Sequence, residues 1–436
     1  MNGNGLNNHK DTALLEPVRP SIKLGWWASI IMVLSVFGPG IITGNFGNDA
    51  GGITTYSICG AKYGYQMLWT IVPVLFVLLL YQNMSGTMGI ITGKGLAELI
   101  REQFGVKTAF YVVIAKFIAG IANTTAEFAG VAAAVELFGS NKYAAIPIAA
   151  FLVWMLTIKT NYKKIERIFL IGCSFFAAYV VSGIIALKKP DWIEIGGSLA
   201  RPDLGPLLNF DRDYWLILIA LIGTTLAPWM PFYHQSAVVE KGMKKSDFKY
   251  YQWETLGTGL SVGIVIFFII VTCGATLHKN GIQIQTADEA ARALGPMAGV
   301  YAKELFAIGL LVASLGAAII LPLSTAFSVS ETFGWESGVN KKFAEAPQFY
   351  TLYTISIVIG ASIVLLPGIS LIKVMLFSQA INGLILPIVL VLMALLRNNK
   401  KLMAGECPGL LYNIILVTAT ILISAAAVIT VVVSLK

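Results

Sequence analysis

Two carboxylates, Asp49 and Glu127, sit well inside apolar stretches of this sequence, and Glu136 lies near the end of the stretch that holds Glu127. An acid at bilayer depth is costly and by default marks a functional position. Asp49 is embedded in the run Gly-Asn-Asp-Ala-Gly-Gly, from Gly47 to Gly52. A second irregular run, Ala-Pro-Trp-Met-Pro, occupies Ala227 to Pro231. Proline removes a backbone donor and clashes with the preceding turn, and glycine weakens a helix. Both runs are therefore expected to unwind. Freed carbonyl oxygens beside a carboxylate make a hard-oxygen cation site. The plainer reading of Asp49 is a carboxylate paired with Lys116 or capping a half-helix.

The elements that hold these residues follow from composition. The chain has 436 residues, 56% hydrophobic and only 12% charged, where soluble domains carry about 25% charged residues. An ordinary water-soluble enzyme, a disordered chain and a disulfide scaffold are excluded. Apolar spans fall at 27–58, 67–90, 108–136, 143–160, 166–187, 214–240, 256–277, 303–327, 350–366, 371–396 and 411–433. Eleven crossings of an all-α integral membrane protein place the termini on opposite sides. With the N-terminus inside, cytoplasmic segments hold 19 Lys and Arg and the opposite face 11. The positive-inside rule thus expects a cytoplasmic N-terminus and an extracellular C-terminus. Lys116, inside the third span, is expected to snorkel.

The net charge of +8 belongs to these loops and implies no nucleic-acid partner. Cys59, Cys173, Cys273 and Cys407 are scattered singly, with no metal or redox spacing, and read as packing residues. Trp26, Trp27, Trp69, Trp192 and Trp215 lie near span ends and read as interface anchors. His9 and His278 are expected to face solvent, and the run Gly60–Tyr65 to form a turn after the first helix.

The two breaks fall in the first and sixth spans, near their middles. Two five-helix halves, each opening with a broken helix, match the inverted repeat of secondary transporters, whose substrate lies between the breaks. Two unrelated kinks are the alternative. The chain then divides into a flexible cytoplasmic tail over 1–25, a first repeat over 26–190, an extracellular loop over 191–213, a second repeat over 214–397, and a loop with the eleventh helix over 398–436.

Three motifs in register resemble the Nramp divalent-metal transporters. Gly38-Pro39-Gly40 followed by Asp49-Ala50-Gly51-Gly52 is similar to that family's first helix, whose signature is Asp-Pro-Gly-Asn. Ala227-Pro228-Trp229 with His234 resembles the sixth-helix Met-Pro-His signature and its downstream histidine, and Ser378-Gln379 with Leu386-Pro387 resembles the tenth helix. The resemblance implies a LeuT-like fold of 5+5 helices plus an eleventh. It also implies a metal site built from Asp49, Gln379, carbonyls near Phe46 and Thr224, and the positions of Gly52 and Ala227. The departures are systematic. Gly52 replaces an asparagine ligand, Ala227 a methionine ligand, Trp229 a histidine and Thr124 an aspartate. Glu127 and His234 remain, and no basic residue lies between Tyr350 and Pro367. This combination resembles the Nramp-related magnesium transporters of prokaryotes.

Thioethers suit transition metals, whereas carboxylate, carbonyl and water suit Mg²⁺ and Mn²⁺. Loss of the soft ligand at Ala227 and of the amide at Gly52 is expected to enlarge the chamber, and Mg²⁺ usually keeps several waters. The expected function is alternating-access uptake of hydrated Mg²⁺, with Mn²⁺, across the plasma membrane by a monomer without a cofactor. A proton relay needs titratable groups in series. With Glu127, His234, Thr124 and Trp229 as its residual network, uncoupled transport is expected. The main alternative is a proton-coupled Mn²⁺/Fe²⁺ importer of the ordinary Nramp kind. An ion channel and an amino-acid symporter of the same architecture are the further alternatives. A membrane-embedded enzyme would need a nucleophile–base or metal-histidine constellation, and the sequence offers neither.

Overall fold

Backbone polar groups inside lipid must be satisfied within the protein, and a helix does this along its own length. The apolar stretches accordingly form helices. The computed structural model describes residues 46–159, 177–339 and 341–435. After a 3-10 turn at Phe46–Asn48, the main helices are α1 (Ala50–Tyr63), α2 (Ile71–Thr92), α3 (Leu96–Leu137), α4 (Lys142–Lys159), α5 (Ala177–Ala186) and α6 (Lys189–Ala200). There follow α7 (Arg212–Thr225), α8 (Trp229–Glu240), α9 (Phe248–Thr276), α10 (Ala302–Phe333), α11 (Pro347–Val364), α12 (Leu371–Arg397) and α13 (Leu410–Ser434). Among the described residues, nine helical segments are long and apolar enough to cross a membrane. Helices α1 and α5 supply the described parts of the first and fifth expected spans, whose remaining residues lie outside the described set.

Several boundaries differ from expectation for local reasons. The first helix continues through Gly60–Tyr63 and turns only at Gly64, where φ is +58°. Gly60 lets α1 approach α9, since a Cβ there would stand 2.4 Å from the Ile270 carbonyl oxygen. Helix α3 starts twelve residues before the expected span and is interrupted at Gly105, with φ +83° and ψ 166°, a conformation natural only to glycine. The stretch after α5 carries its own helix, α6. Its first turn is capped by Asp191, which accepts from the Lys188 backbone at 2.7 Å and ion-pairs with Lys279.

The core lies where small residues bring helices together. A Cβ on Gly223 of α7 would meet the Gln379 carbonyl oxygen at 2.1 Å, and one on Gly383 of α12 would meet the Ile219 carbonyl oxygen at 2.3 Å. Helices α7 and α12 thus pack backbone to backbone, as small residues permit in membrane proteins. Gly120 and Gly130 bring α3 against Thr325 and Ser314 of α10 in the same way.

The snorkelling expectation for Lys116 is overturned. Its side chain is buried, and Nζ donates to the Ser324 carbonyl oxygen at 2.7 Å and to Ser324 Oγ at 3.1 Å, with the Phe232 ring 5.2 Å away. Those partners answer the cost of a buried ammonium that an isolated helix would have to carry to the interface. Among the tryptophans, Trp192 is exposed, while Trp215 is buried and donates to the Leu207 carbonyl oxygen. Trp69 is half-buried on Tyr214. Trp26 and Trp27 lie outside the described residues, as do His9 and Cys173. Cys59 and Cys273 are buried free thiols, and His278 is exposed, with Nδ1 3.0 Å from the Ala61 carbonyl oxygen.

Candidate metal centre

The sixth-span break falls where the sequence places it. Helix α7 ends at Thr225 and α8 begins at Trp229. Pro228 has no N–H, so the Thr224 carbonyl loses the donor that a continuous helix would offer four residues on. On the other side, the 3-10 turn at Phe46–Asn48 gives way to extended backbone at Asp49 (φ −69°, ψ −171°), and α1 opens at Ala50. Gly51 and Gly52 are already helical. Among the described residues, the stretch outside the α-helix is therefore 46–49, ahead of the glycine pair.

The two breaks touch. Thr224 Oγ1 donates to the Gly47 carbonyl oxygen at 3.1 Å. The Thr224 carbonyl oxygen lies 3.3 Å from where a Cβ on Gly47 would stand. Asp49 is buried between them and does not pair with Lys116; its Oδ1 accepts from the Gly52 N–H at 2.7 Å. Asp49 is thus both a buried carboxylate at the break and the N-cap of α1, two roles the sequence reading had set against each other. The cap leaves Oδ2 outside that bond.

Glu127 of α3 meets the same turn. Its Oε2 accepts from the Ala50 N–H at 3.3 Å, and its carboxyl group adjoins that of Asp49. Gln379 of α12 packs on the first turn of α1, where a Cβ on Gly51 would stand 1.8 Å from its Nε2. Its Oε1 accepts from Asn382 Nδ2 at 2.9 Å. Asn382 and Asn123 exchange amide hydrogen bonds at 2.9 and 3.0 Å. The scaffold helix α3 thereby fixes Gln379 through one intermediate.

Ala227 is buried in the sixth-span break. Gly52 leaves no open space beside the first break. A Cβ there would stand 2.4 Å from the Gly47 carbonyl oxygen and 3.1 Å from Thr224 Oγ1. The expected enlargement at position 52 is corrected accordingly, because the main chain of the first break fills the volume that the missing side chain vacates.

The residues of the residual polar network bond separate partners. Thr124 Oγ1 bonds the Gly120 carbonyl of its own helix, and its methyl packs on Gly360 of α11. His234 Nδ1 lies 2.8 Å from Ser85 Oγ of α2, with the ring stacked on Tyr251. The Trp229 carbonyl accepts from Ser324 Oγ at 3.1 Å. Only Glu127 of the four is placed against Asp49.

Other contributors escaped the sequence reading. Met230 brings a thioether to the first break, its Cε 2.4 Å from the Cβ position of Gly47. Tyr56 Oη and Thr225 Oγ1, 2.8 Å apart, tie α1 to the end of α7. Asn123 and Asn382 are amides within largely apolar helices, which was the available signal. Nothing in the sequence pairs them.

A sequence model of the family described as "Natural resistance-associated macrophage protein-like" (Nramp) matches residues 40–433. A protein named "Divalent metal cation transporter MntH" from Yersinia enterocolitica is 27% identical over 394 residues, covering 88% of this chain and 91% of that protein. Its namesake from Erwinia tasmaniensis is 29% identical over 296 residues, covering 66% and 70%. Among solved structures, a manganese transporter from Eremococcus coleocola superposes with a TM-score of 0.70 at 19% identity, covering 94% of this chain and 88% of that one. MhsT in complex with L-phenylalanine superposes at 0.59 and 16% identity, covering 91% and 97%. At those identities the structures speak for the fold, and both resemble this chain along nearly its whole length.

Proposed function

The chain belongs to the Nramp family, and from that premise we propose that it carries divalent cations across the plasma membrane by alternating access. The observation that carries this reading is the meeting of the two helix breaks at Gly47 and Thr224, beside the buried carboxylate of Asp49. Unwound main chain at bilayer depth is tolerated where it lines a cavity or is buried in protein, and carbonyls with a carboxylate suit a hard cation. Asp49, Gln379, the main chain near Phe46 and Thr224, and the positions of Gly52 and Ala227 form the proposed site.

For the metal, the relatives' names give a divalent cation, and the structural neighbour from Eremococcus coleocola is a manganese transporter. The donor set supports the finer proposal that hydrated Mg²⁺ is carried as well, because alanine at 227 and glycine at 52 withhold a thioether and an amide. A downhill route suffices for it. The membrane potential contributes about 2.3 kcal/mol per charge per 100 mV, and a divalent ion gains about twice that. Thr124 and His234 bond Gly120 and Ser85 rather than Asp49 or Glu127, which supports transport without a proton relay. A second reading, proton-coupled Mn²⁺/Fe²⁺ import, is favoured by the thioether of Met230 at the first break and fits the manganese transporter whose fold this chain shares.

Uptake into proteoliposomes with an internal pH dye separates the two. Uncoupled uptake predicts Mg²⁺ and Mn²⁺ entry, abolished by Asp49→Ala, with no metal-dependent acidification. Acidification in step with Mn²⁺ entry, and no Mg²⁺ entry, would establish the second.

A further inference from the structure

Resting on the reading of this break as a cation site, we propose that Asn48 is a further binding residue, whose side-chain amide holds the water shell of the ion beside Asp49. Asn48 is the last residue of the 3-10 turn before Asp49 and is fully buried. Neither its Oδ1 nor its Nδ2 has a hydrogen-bond partner among the described residues. An amide sealed from water and left unpaired is costly. Buried polar groups are nearly always satisfied by protein or by ordered water.

Two further unpaired atoms surround the start of α1. Glu127 uses Oε2 on the Ala50 N–H, while its Oε1 has no partner among the described residues. Ser314 Oγ of α10 is likewise unpartnered. It lies 2.3 Å from the position a Cβ on Gly130 would take, and the methyl of Ala50 lies 2.4 Å from the same point. The unpaired atoms of Asn48, Glu127 and Ser314 thus come from the first break and two scaffold helices, and those of Glu127 and Ser314 close on Ala50. A buried water makes about three hydrogen bonds. An amide both donates and accepts, which suits water better than a bare cation. This chain lacks a side-chain amide at position 52, and Asn48 offers one on the other side of Asp49.

The test uses the full-length protein, with uptake into proteoliposomes and thermal unfolding in detergent, with and without Mg²⁺ or Mn²⁺. Asn48→Ala breaks no bond among the described residues, so its metal-free Tm is expected to stay at or above that of the parent. Its metal-induced rise in Tm is expected to shrink. Its KM for Mg²⁺ is expected to rise roughly three- to tenfold, the weight of one hydrogen bond, with little change in maximal rate. Should the alanine variant not fold, Asn48→Asp keeps the volume and is also expected to shift KM. An unchanged KM and an unchanged metal-induced Tm rise overturn the proposal, as does a lowered metal-free Tm with unchanged KM. Asp49→Asn is the reference. If it too leaves metal binding intact, the cation site itself is misplaced; if it alone abolishes binding, only the role of Asn48 fails.

Discussion

The backbone N–H of Gly52 donates to Oδ1 of Asp49 at 2.7 Å, so the buried carboxylate proposed to hold the ion also caps α1. The two roles separate by substitution, because asparagine is as good an N-cap as aspartate but carries no charge. Asp49→Asn is expected to keep the parent Tm and lose metal uptake. Asp49→Ala is expected to lose uptake and also about 1 kcal/mol of stability. Equal Tm for all three proteins would remove the capping role, and retained uptake in the asparagine variant would remove the charge.

Ala227 lies in the sixth-span break with no side chain beyond Cβ. Ala227→Met returns a soft sulfur ligand, and soft ligands favour transition metals. Competition of Cd²⁺ against Mn²⁺ uptake is expected to strengthen in this variant, with Mg²⁺ uptake reduced. An unchanged Cd²⁺ inhibition constant would place the ion elsewhere.

At Gly52 the neighbour that a Cβ would strike is main chain, the Gly47 carbonyl oxygen at 2.4 Å. Main chain in a packed break cannot rotate away as a side chain can. Gly52→Ala is therefore expected to cost roughly 1–3 kcal/mol through overpacking, seen as a lower Tm. An unaltered Tm would mean that the first break shifts freely at this point.

Gln379 is held by Asn382, which is held in turn by Asn123. Removing Asn123 leaves buried amide groups unpaired, a penalty of about 1–3 kcal/mol. Asn123→Ala is expected to lower Tm and to raise the metal KM, although it touches no proposed ligand directly. A double-mutant cycle with Gln379→Ala measures the coupling. Additive effects on KM would disconnect the amides from the site.

Residue types and their order alone determined the membrane class, most span boundaries, the two breaks and the family resemblance. Hydrophobic length is a one-dimensional property, and proline deletes its donor wherever the chain goes. Asp49 was legible for the same reason, since a lone carboxylate in an apolar stretch needs no partner to be noticed.

Tertiary structure decided everything that depends on which helices meet. Lys116 looked like a snorkelling side chain because its helix was read alone; Ser324 of α10 gives it a buried partner. Gly52 looked like vacated volume because its position was compared with a larger residue, yet the carbonyl of Gly47 fills that volume. Asn48, Asn123, Asn382 and Met230 stand in the sequence without any sign of the partners they meet. Their roles are set by a fold that crosses α3, α7, α10 and α12 around the start of α1, and only three-dimensional contact shows which of their polar atoms are satisfied and which are left waiting.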